Sequence, residues 1–285
     1  METEGRSSEV DMDDAVRNSK MQEHYAAVQE ADRLSAGVGE LERVRTQDVL
    51  MRHLPKAPAR ILDVGGAAGV HALWLAKSGY EVHLSDPVAK HVEQAKEASR
   101  RQAEFPIASC VVGDARKIEQ ADRSADGVLL LGPLYHLTER ADRLKALGEA
   151  HRTLRAGGRV FAAAISRFAS LMDGLSRDFV SDPRFVEILR QDLENGQHRN
   201  PTDNPHYFTS TFFHHPDELR QEIEDAGFTF EKVVAVEGPV WTMGNFTRHW
   251  DDPAKRALLL ELLRTVEEER TLLGASAHMI GVGKK

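Results

Sequence analysis

Hydrophobic and polar positions alternate along the chain in segments that predict strands and helices in turn. An apolar run at 61–64 is followed by a glycine-rich turn, by an apolar stripe of helical spacing at 72–76, and by an alternating segment at 81–84. The same order then continues with helices predicted over 88–102 and 138–154, and with strands predicted over 107–112, 127–131 and 159–165. Strands that alternate with helices predict an α/β protein with a mostly parallel, doubly wound sheet.

The pattern divides the chain into four parts. Residues 1–20 are polar and charged and predict a disordered tail, and residues 21–165 hold N-terminal helices and the α/β core. Residues 166–215 contain two apolar stripes at helical spacing and one alternating segment, which predict a cap inserted beside the sheet. The alternative is a helical addition that extends the core or forms a dimer. Residues 216–285 return to helix and strand patterns, with a second insertion over 239–273.

An acidic residue follows the second predicted strand. Asp86 lies about 20 residues after Gly65, the first glycine of the turn, a spacing at which a carboxylate accepts hydrogen bonds from ribose hydroxyls. The carboxyl ends of parallel strands lie at one edge of a sheet, so the turn and Asp86 predict a nucleoside pocket there. The dinucleotide pattern G-x-G-x-x-G is broken, because Ala67 and Val70 occupy its second and third glycine positions.

The segment DVGGAAG, residues 63–69, resembles motif I of the class I S-adenosylmethionine-dependent methyltransferases, D/E-x-G-x-G-x-G. Asp63, Gly65 and Gly69 match this motif, and Ala67 stands in place of its middle glycine. We expect the extra methyl group of Ala67 to crowd the backbone slightly without removing a hydrogen bond.

The resemblance extends to the order of the later elements. A helix, the segment LRAGG at 154–158 and an apolar strand are typical of the same superfamily, and the similarity resumes at 217–236 and 276–282. It implies a seven-stranded, mostly parallel sheet whose last two strands form an antiparallel edge pair.

The resemblance also implies which residues bind S-adenosylmethionine. They are Gly65, Gly66, Ala67 and Gly69 in the turn, Asp86 and Pro87 after the second strand, Asp114 and Ala115 after the third, Leu131 and His136 at the end of the fourth, and Tyr25 and Arg33 in the N-terminal helical segment. Arg33 is expected to bind the methionine carboxylate and Asp114 the adenine amino group. Ordinary helix-surface positions for Tyr25 and Arg33, and turn chemistry for Asp114, are the alternatives.

The segment after the fourth strand bears on the acceptor. Enzymes that methylate adenine or glutamine amino nitrogens carry [DN]-P-P-[YFW] here, whereas this chain has Gly132 in the first place and lacks the polar acceptor. The sequence GPLYH instead resembles small-molecule methyltransferases. His136 is the candidate general base, because histidine is the most common side chain in that role. A structural role for His136, in the loop or against the cofactor, is the alternative, and Tyr135, His206, His214 and His215 are weaker candidates for the base.

Composition narrows the class of protein. The formal charge of the 285 residues is −8, so no global basic field favours nucleic acid or anionic lipid. No apolar run is long enough to span a membrane, the N-terminus lacks the apolar segment of a signal peptide, and Cys110 is the one cysteine. We therefore expect a cytoplasmic protein. The 13 histidines show no recognisable metal-ligand spacing, so no metal is predicted.

These features together predict methyl transfer from S-adenosylmethionine to an oxygen, nitrogen or carbon atom of a small, partly apolar acceptor. Two other functions stay open at this point: an RNA or protein methyltransferase, and a non-catalytic S-adenosylmethionine-binding regulatory protein. A homodimer is also left open.

Overall fold

A computed structural model describes residues 33–202 and 204–285 of the chain. The strands within these ranges are β1 (Arg60–Val64), β2 (Glu81–Asp86), β3 (Ser109–Val112), β4 (Ala125–Leu130), β5 (Leu154–Ser166), β6 (Gln197–His198), β7 (Thr211–His214), β8 (Thr229–Ala235) and β9 (His278–Lys284). The α-helices are α1 (Gly37–His53), α2 (Val70–Lys77), α3 (Ala89–Arg101), α4 (Pro133–His136), α5 (Arg140–Thr153), α6 (Ala169–Ser176), α7 (Pro183–Asn195), α8 (Pro216–Asp225), α9 (Phe246–Trp250) and α10 (Pro253–Val266).

The predicted mostly parallel sheet is confirmed. Its strands lie in the order β3, β2, β1, β4, β5, and these neighbours pair in parallel. On the far side β9 is antiparallel to β5, and β8 is antiparallel to β9, which is the predicted edge pair. All seven predicted strands are therefore present, but the sheet of the described residues has nine strands and not seven, because β7 and β6 extend it beyond β5. Because β9 is antiparallel, its first residue lies at the same edge of the sheet as the last residues of β1, β2 and β4.

Helices cover both faces of the sheet, as a doubly wound fold requires. One face packs against α5 and α8 through residues such as Leu147 and Ile223. The other face packs against α1, α2 and α3 through residues such as Leu50, Leu75 and Ala95. Strand β1 is buried along Ile61–Val64 because both of its faces are covered, and its apolar run in the sequence follows from this position.

The start of β5 differs from the prediction. The sequence predicts a helix over 138–154 and a strand from residue 159, but α5 ends at Thr153 and Leu154 already pairs with Ala125 of β4. The register of β4 and β5 then shifts, and regular pairing resumes at Arg159. The N–H of Gly157 donates to the carbonyl of Lys285 over 2.8 Å, so the glycines form an irregularity within the strand.

The predicted strand in the 166–215 segment joins the main sheet. Phe213 and His214 of β7 pair in parallel with the last two residues of β5, and β7 pairs with β6. Helices α6 and α7 pack beside it around a small apolar cluster that contains Phe185 and Ile188. The covering of an acceptor by this segment stays a prediction.

The aromatic residues of the second insertion are mostly core residues. Phe246 and Trp250 of α9 are buried and stack with ring centroids 5.4 Å apart, and they pack with Leu41 of α1. This insertion therefore packs against α1. The tail predicted over 1–20 lies outside the described residues.

Among the described residues, no helix has both the length and the apolar character needed to cross a membrane.

Candidate functional site

The glycine-rich turn leaves β1 at the carboxyl edge of the sheet. The N–H of Gly65 donates to the carbonyl of Ser85 in β2 over 2.7 Å, which fixes the turn beside the end of β2. Gly65, Ala67 and Gly69 have φ angles of +73°, +46° and +85°, in the left-handed region that favours glycine. A Cβ at Gly65 would lie 2.7 Å from Cγ of Pro133, so a side chain has no room there.

Ala67 is a non-glycine residue in a strained conformation. Its N–H donates to Oδ2 of Asp86 over 2.9 Å, so the hydrogen bond of this position is retained, as expected. The positive φ adds a backbone cost to the crowding that we expected from the methyl group, because the left-handed conformation is unfavourable for alanine.

Asp86 connects the turn to α3. It is buried, and its Oδ1 accepts from the N–H of Val88 at 2.9 Å and faces Nδ1 of His91 at 3.1 Å. Its Oδ2 accepts from Ala67, and a carboxylate oxygen has a second lone pair for a further donor. The side chain thus both holds the turn and presents an acceptor to the cavity that it lines.

A cavity of about 190 Å³ crosses this edge of the sheet. One end is formed by 114–116 after β3, and the middle by the glycine-rich turn and Asp86. The other end is formed by Glu42 and Thr46 of α1 together with Val236 and His278, which lie at the end of β8 and the start of β9. It therefore extends from the β3 side of the sheet to the β8–β9 edge pair.

Most of the predicted cofactor residues line this one cavity. They are Arg33, Gly65, Gly66, Ala67, Asp86, Pro87, Asp114, Ala115, Leu131 and His136. Gly69 is not among the lining residues; it precedes α2, and a Cβ there would face Ala95 and Ile107. Tyr25 lies outside the described residues. No lining residue comes from 166–215 within the part of the chain that the structure describes.

Two predicted binding residues already have ionic partners. Arg33 donates from Nη1 and Nη2 to the carboxylate of Glu42, over 2.5 and 2.9 Å. Asp114 is half exposed and binds the guanidinium of Arg116, with 2.7 Å between Oδ2 and Nη2. Binding of a cofactor group by Arg33 or Asp114 would therefore share or replace these ion pairs.

Asp63 is a charged residue at the buried end of β1. It is 1% exposed, and its Oδ2 has no hydrogen-bond partner among the described residues. Burial and, to a smaller extent, the nearby negative charge of Asp86 together raise the pKa of Asp63 to about 7. A Cβ at Gly66 would lie 2.7 Å from this Oδ2, so glycine at that position leaves room for the carboxylate.

The β8–β9 end of the cavity carries charged residues that the sequence patterns did not single out. His278 faces Glu237 with 2.6 Å between Nδ1 and Oε1, and Glu42 with 3.8 Å between Nδ1 and Oε2. His71, in the first turn of α2, also lines the cavity, and burial lowers its pKa to about 4. His278 is the first residue of β9, Glu237 the second residue after β8 and His71 the second residue of α2, and these positions at element ends are their only sequence signal. Glu42 lies inside α1 and has no such signal.

Three of these side chains could also hold a cation. The ligand atoms of Glu42, Glu237 and His278 lie within 4.8 Å of one another. The Nδ1 atom of His278, however, is directed at a carboxylate oxygen and not away from it, so a metal would have to displace this contact.

The chain is similar in sequence to known methyltransferases. Residues 62–162 match the family described as a methyltransferase domain. An uncharacterized methyltransferase of Mycobacterium tuberculosis is 31% identical over 107 residues, which are 38% of this chain and 40% of that protein. A ubiquinone/menaquinone biosynthesis C-methyltransferase of Acidiphilium cryptum is 28% identical over 171 residues, which are 59% of this chain and 66% of that protein. The aligned segments thus span less than two thirds of these relatives.

A solved structure shows the same fold. The SAM-dependent methyltransferase from Methanosarcina mazei has a TM-score of 0.56 at 17% sequence identity, over 83% of this chain and 96% of that one. The fold and the family match define a Rossmann-like α/β protein whose glycine-rich turn lies at the carboxyl edge of the sheet. The chain carries a class I S-adenosylmethionine-dependent methyltransferase domain, as motif I predicted, and S-adenosylmethionine is the cofactor of this class.

The residues of the cavity fit this cofactor. The unpartnered Oδ2 of Asp63 suits the ammonium group of the methionine part, and the second lone pair on Oδ2 of Asp86 suits a ribose hydroxyl. When bound, the cofactor supplies a methyl group on a positively charged sulfur. The glycine-rich turn, Asp63 and Asp86 would hold it, and the apolar walls exclude water.

Proposed function

We propose that the protein transfers a methyl group from S-adenosylmethionine to an oxygen, nitrogen or carbon atom of a small, partly apolar acceptor. One observation carries this proposal: a single cavity joins the residues near Asp86, which are expected to bind the nucleoside, to a second region with a different lining. That region combines the apolar side chains of Leu34, Val236 and Ile280 with the charged group of His278.

Positioning supplies most of the expected catalysis. Methyl transfer is an in-line displacement, and holding two reactants in the reactive geometry contributes up to about 7–11 kcal/mol, whereas a general base contributes about 10²–10⁴-fold. The walls from α1 and the sheet edge would orient the acceptor. His136 lines the cavity next to Tyr135, with ring centroids 4.7 Å apart, and its role as general base stays a prediction.

Two observations favour a small acceptor. The second region of the cavity is lined mainly by apolar side chains with few polar groups, which suits a metabolite. The related C-methyltransferase of Acidiphilium cryptum is named for ubiquinone and menaquinone biosynthesis. RNA or protein methylation, and cofactor binding without catalysis, are the alternative functions. A cytoplasmic location and a homodimer stay predictions.

Label transfer tests this proposal. The protein would be incubated with S-adenosylmethionine carrying a radioactive methyl group, in separate reactions with the small-molecule, RNA and protein fractions of a cell extract. We expect enzyme-dependent label in organic-extractable small molecules, and much less of it with Asp86→Ala when the cofactor concentration is below saturation. Label in RNA or protein would support the first alternative. Cofactor binding without label in any fraction would support the regulatory one.

A further inference from the structure

The β8–β9 end of the cavity is built around one histidine. The backbone N–H of His278 donates to Oε2 of Glu237 over 2.9 Å, and its ring Nδ1 donates to Oε1 of the same carboxylate over 2.6 Å. Glu237 is 1% exposed, and the hydroxyl of Ser276 also donates to it over 2.9 Å. Because Glu237 is held by three donors, it fixes both the position and the proton of the His278 ring.

The ring of His278 lines the cavity, and its second nitrogen is not engaged by the described residues. Within residues 33–202 and 204–285, Nε2 has no hydrogen-bond partner, although the ring is about one fifth exposed and lines the cavity. This arrangement differs from that of His198, a buried histidine away from the cavity, whose two ring nitrogens both have partners. An imidazole held at Nδ1 and open at Nε2 can bind a ligand atom without any rearrangement.

Charges on the neighbouring elements favour the protonated ring. Burial lowers the pKa of His278, but the negative charges of Glu42 on α1 and Glu237 after β8 outweigh this effect and raise the pKa to about 9. Arg33 opposes them weakly, and the ring of His71 on α2, which also faces Glu42, stays neutral because burial lowers its pKa. At neutral pH, Nε2 therefore carries a proton and can donate it in a charge-assisted hydrogen bond.

We propose, building on the methyl transfer proposed above, that His278 contacts the acceptor, and that the acceptor presents an oxyanion (phenolate, enolate or carboxylate) to its Nε2–H. The acceptor binds as the anion after its proton has passed to solvent. A lone pair of the acceptor forms the new bond to the methyl carbon, and the electron pair of the broken carbon–sulfur bond stays with sulfur. The methylated product is neutral, loses its attraction to the imidazolium and dissociates more readily.

Binding of defined anions and their methylated products tests this inference. The protein, saturated with S-adenosylhomocysteine, would be titrated at about pH 8 with benzoate and 4-nitrophenolate, and with methyl benzoate and 4-nitroanisole. We expect at least one anion to bind about tenfold or more tightly than its methylated product, the effect of one charge-assisted hydrogen bond. Failure of both anions to exceed their products would overturn the inference.

Variants test whether this preference for anions depends on His278 and Glu237. His278→Gln should lower anion affinity about tenfold or more while S-adenosylhomocysteine affinity changes less than about threefold. His83→Gln is the matched control, because His83 also contacts a glutamate, at 2.9 Å from Glu81, but does not line this cavity. Glu237→Gln should shift benzoate binding to lower pH and recover it near pH 6, where the ring is again protonated and benzoate is still ionised; a fold defect would not recover.

Three other outcomes would contradict the inference. Equal anion affinity in wild type and His278→Gln would exclude the contact. A tenfold loss of S-adenosylhomocysteine affinity in His278→Gln would assign the ring to the cofactor. Binding of Zn²⁺ or Mg²⁺ by wild type but not by His278→Gln would assign Glu42, Glu237 and His278 to a cation. If wild type does not bind S-adenosylhomocysteine at all, the proposed function fails and not only this inference.

Discussion

Replacement of Asp86 by alanine is predicted to weaken both the turn and cofactor binding. The carboxylate accepts hydrogen bonds from the N–H groups of Ala67 and Val88 and contacts His91. Loss of a charged acceptor costs about 1.5–3 kcal/mol. If the free energy of the complex rises by this amount, the affinity for S-adenosylhomocysteine decreases about 10- to 150-fold. The N–H of Ala67 then loses its partner and no longer holds a strained residue in place, so we also expect the free energy of unfolding to fall by about 1–3 kcal/mol.

Two measurements separate these effects. Isothermal titration calorimetry gives the affinity for S-adenosylhomocysteine, and urea unfolding without ligand gives the stability. Asp122→Ala is the matched control, because Asp122 forms a surface ion pair with Arg152 and does not line the cavity. Its stability should change by less than about 1 kcal/mol and its affinity should not change. A folded Asp86→Ala protein that binds S-adenosylhomocysteine within threefold of wild type would refute the reasoning.

Three further predictions follow from the same site. Ala67→Gly should raise the free energy of unfolding by about 0.5–1 kcal/mol, because glycine relieves the strain of the positive φ. Ala68→Gly should lower the free energy of unfolding by a similar amount. An equal decrease of the free energy of unfolding in both variants would refute the strain at Ala67. Asp63→Asn should stabilise the ligand-free protein at pH 8, because burial disfavours the ionised carboxylate, and should weaken S-adenosylhomocysteine binding in calorimetry. The pKa of His278 is higher in the folded than in the unfolded chain, so its stabilisation is complete below about pH 6.5 and lost as pH rises through 9; unfolding at both pH values should show this loss in wild type but not in His278→Gln.

The fold was largely predictable because its pattern is local. Buried parallel strands read as apolar runs, such as 61–64, and helices read as apolar stripes between them. The start of β5 was not predictable, because LRAGG at 154–158 suits a helix end and the carbonyl of Lys285, far along the chain, bonds to Gly157. The alternating segment within 166–215 indicated β7 but not its pairing with the end of β5, and the two-residue strand β6, which pairs with β7, has no local signal.

Part of the candidate site was also predictable from local sequence patterns, and part of it was not. Motif I indicated the turn and Asp86 because their spacing follows from one strand–helix–strand unit. His278 and Glu42 could not be indicated, because they are more than 200 residues apart and meet only where α1 packs across the start of β9. Gly69 matched the motif, yet it serves the turn before α2 and does not line the cavity.

The central claim is that the cavity at the carboxyl edge of the sheet binds S-adenosylmethionine. Isothermal titration calorimetry of the wild-type protein with S-adenosylmethionine, S-adenosylhomocysteine and NAD tests it most directly. We predict that both sulfur compounds bind at one site per chain, that Asp86→Ala weakens both, and that NAD binds more weakly or not at all. Absence of binding by both sulfur compounds, or tighter binding of NAD, would contradict the account.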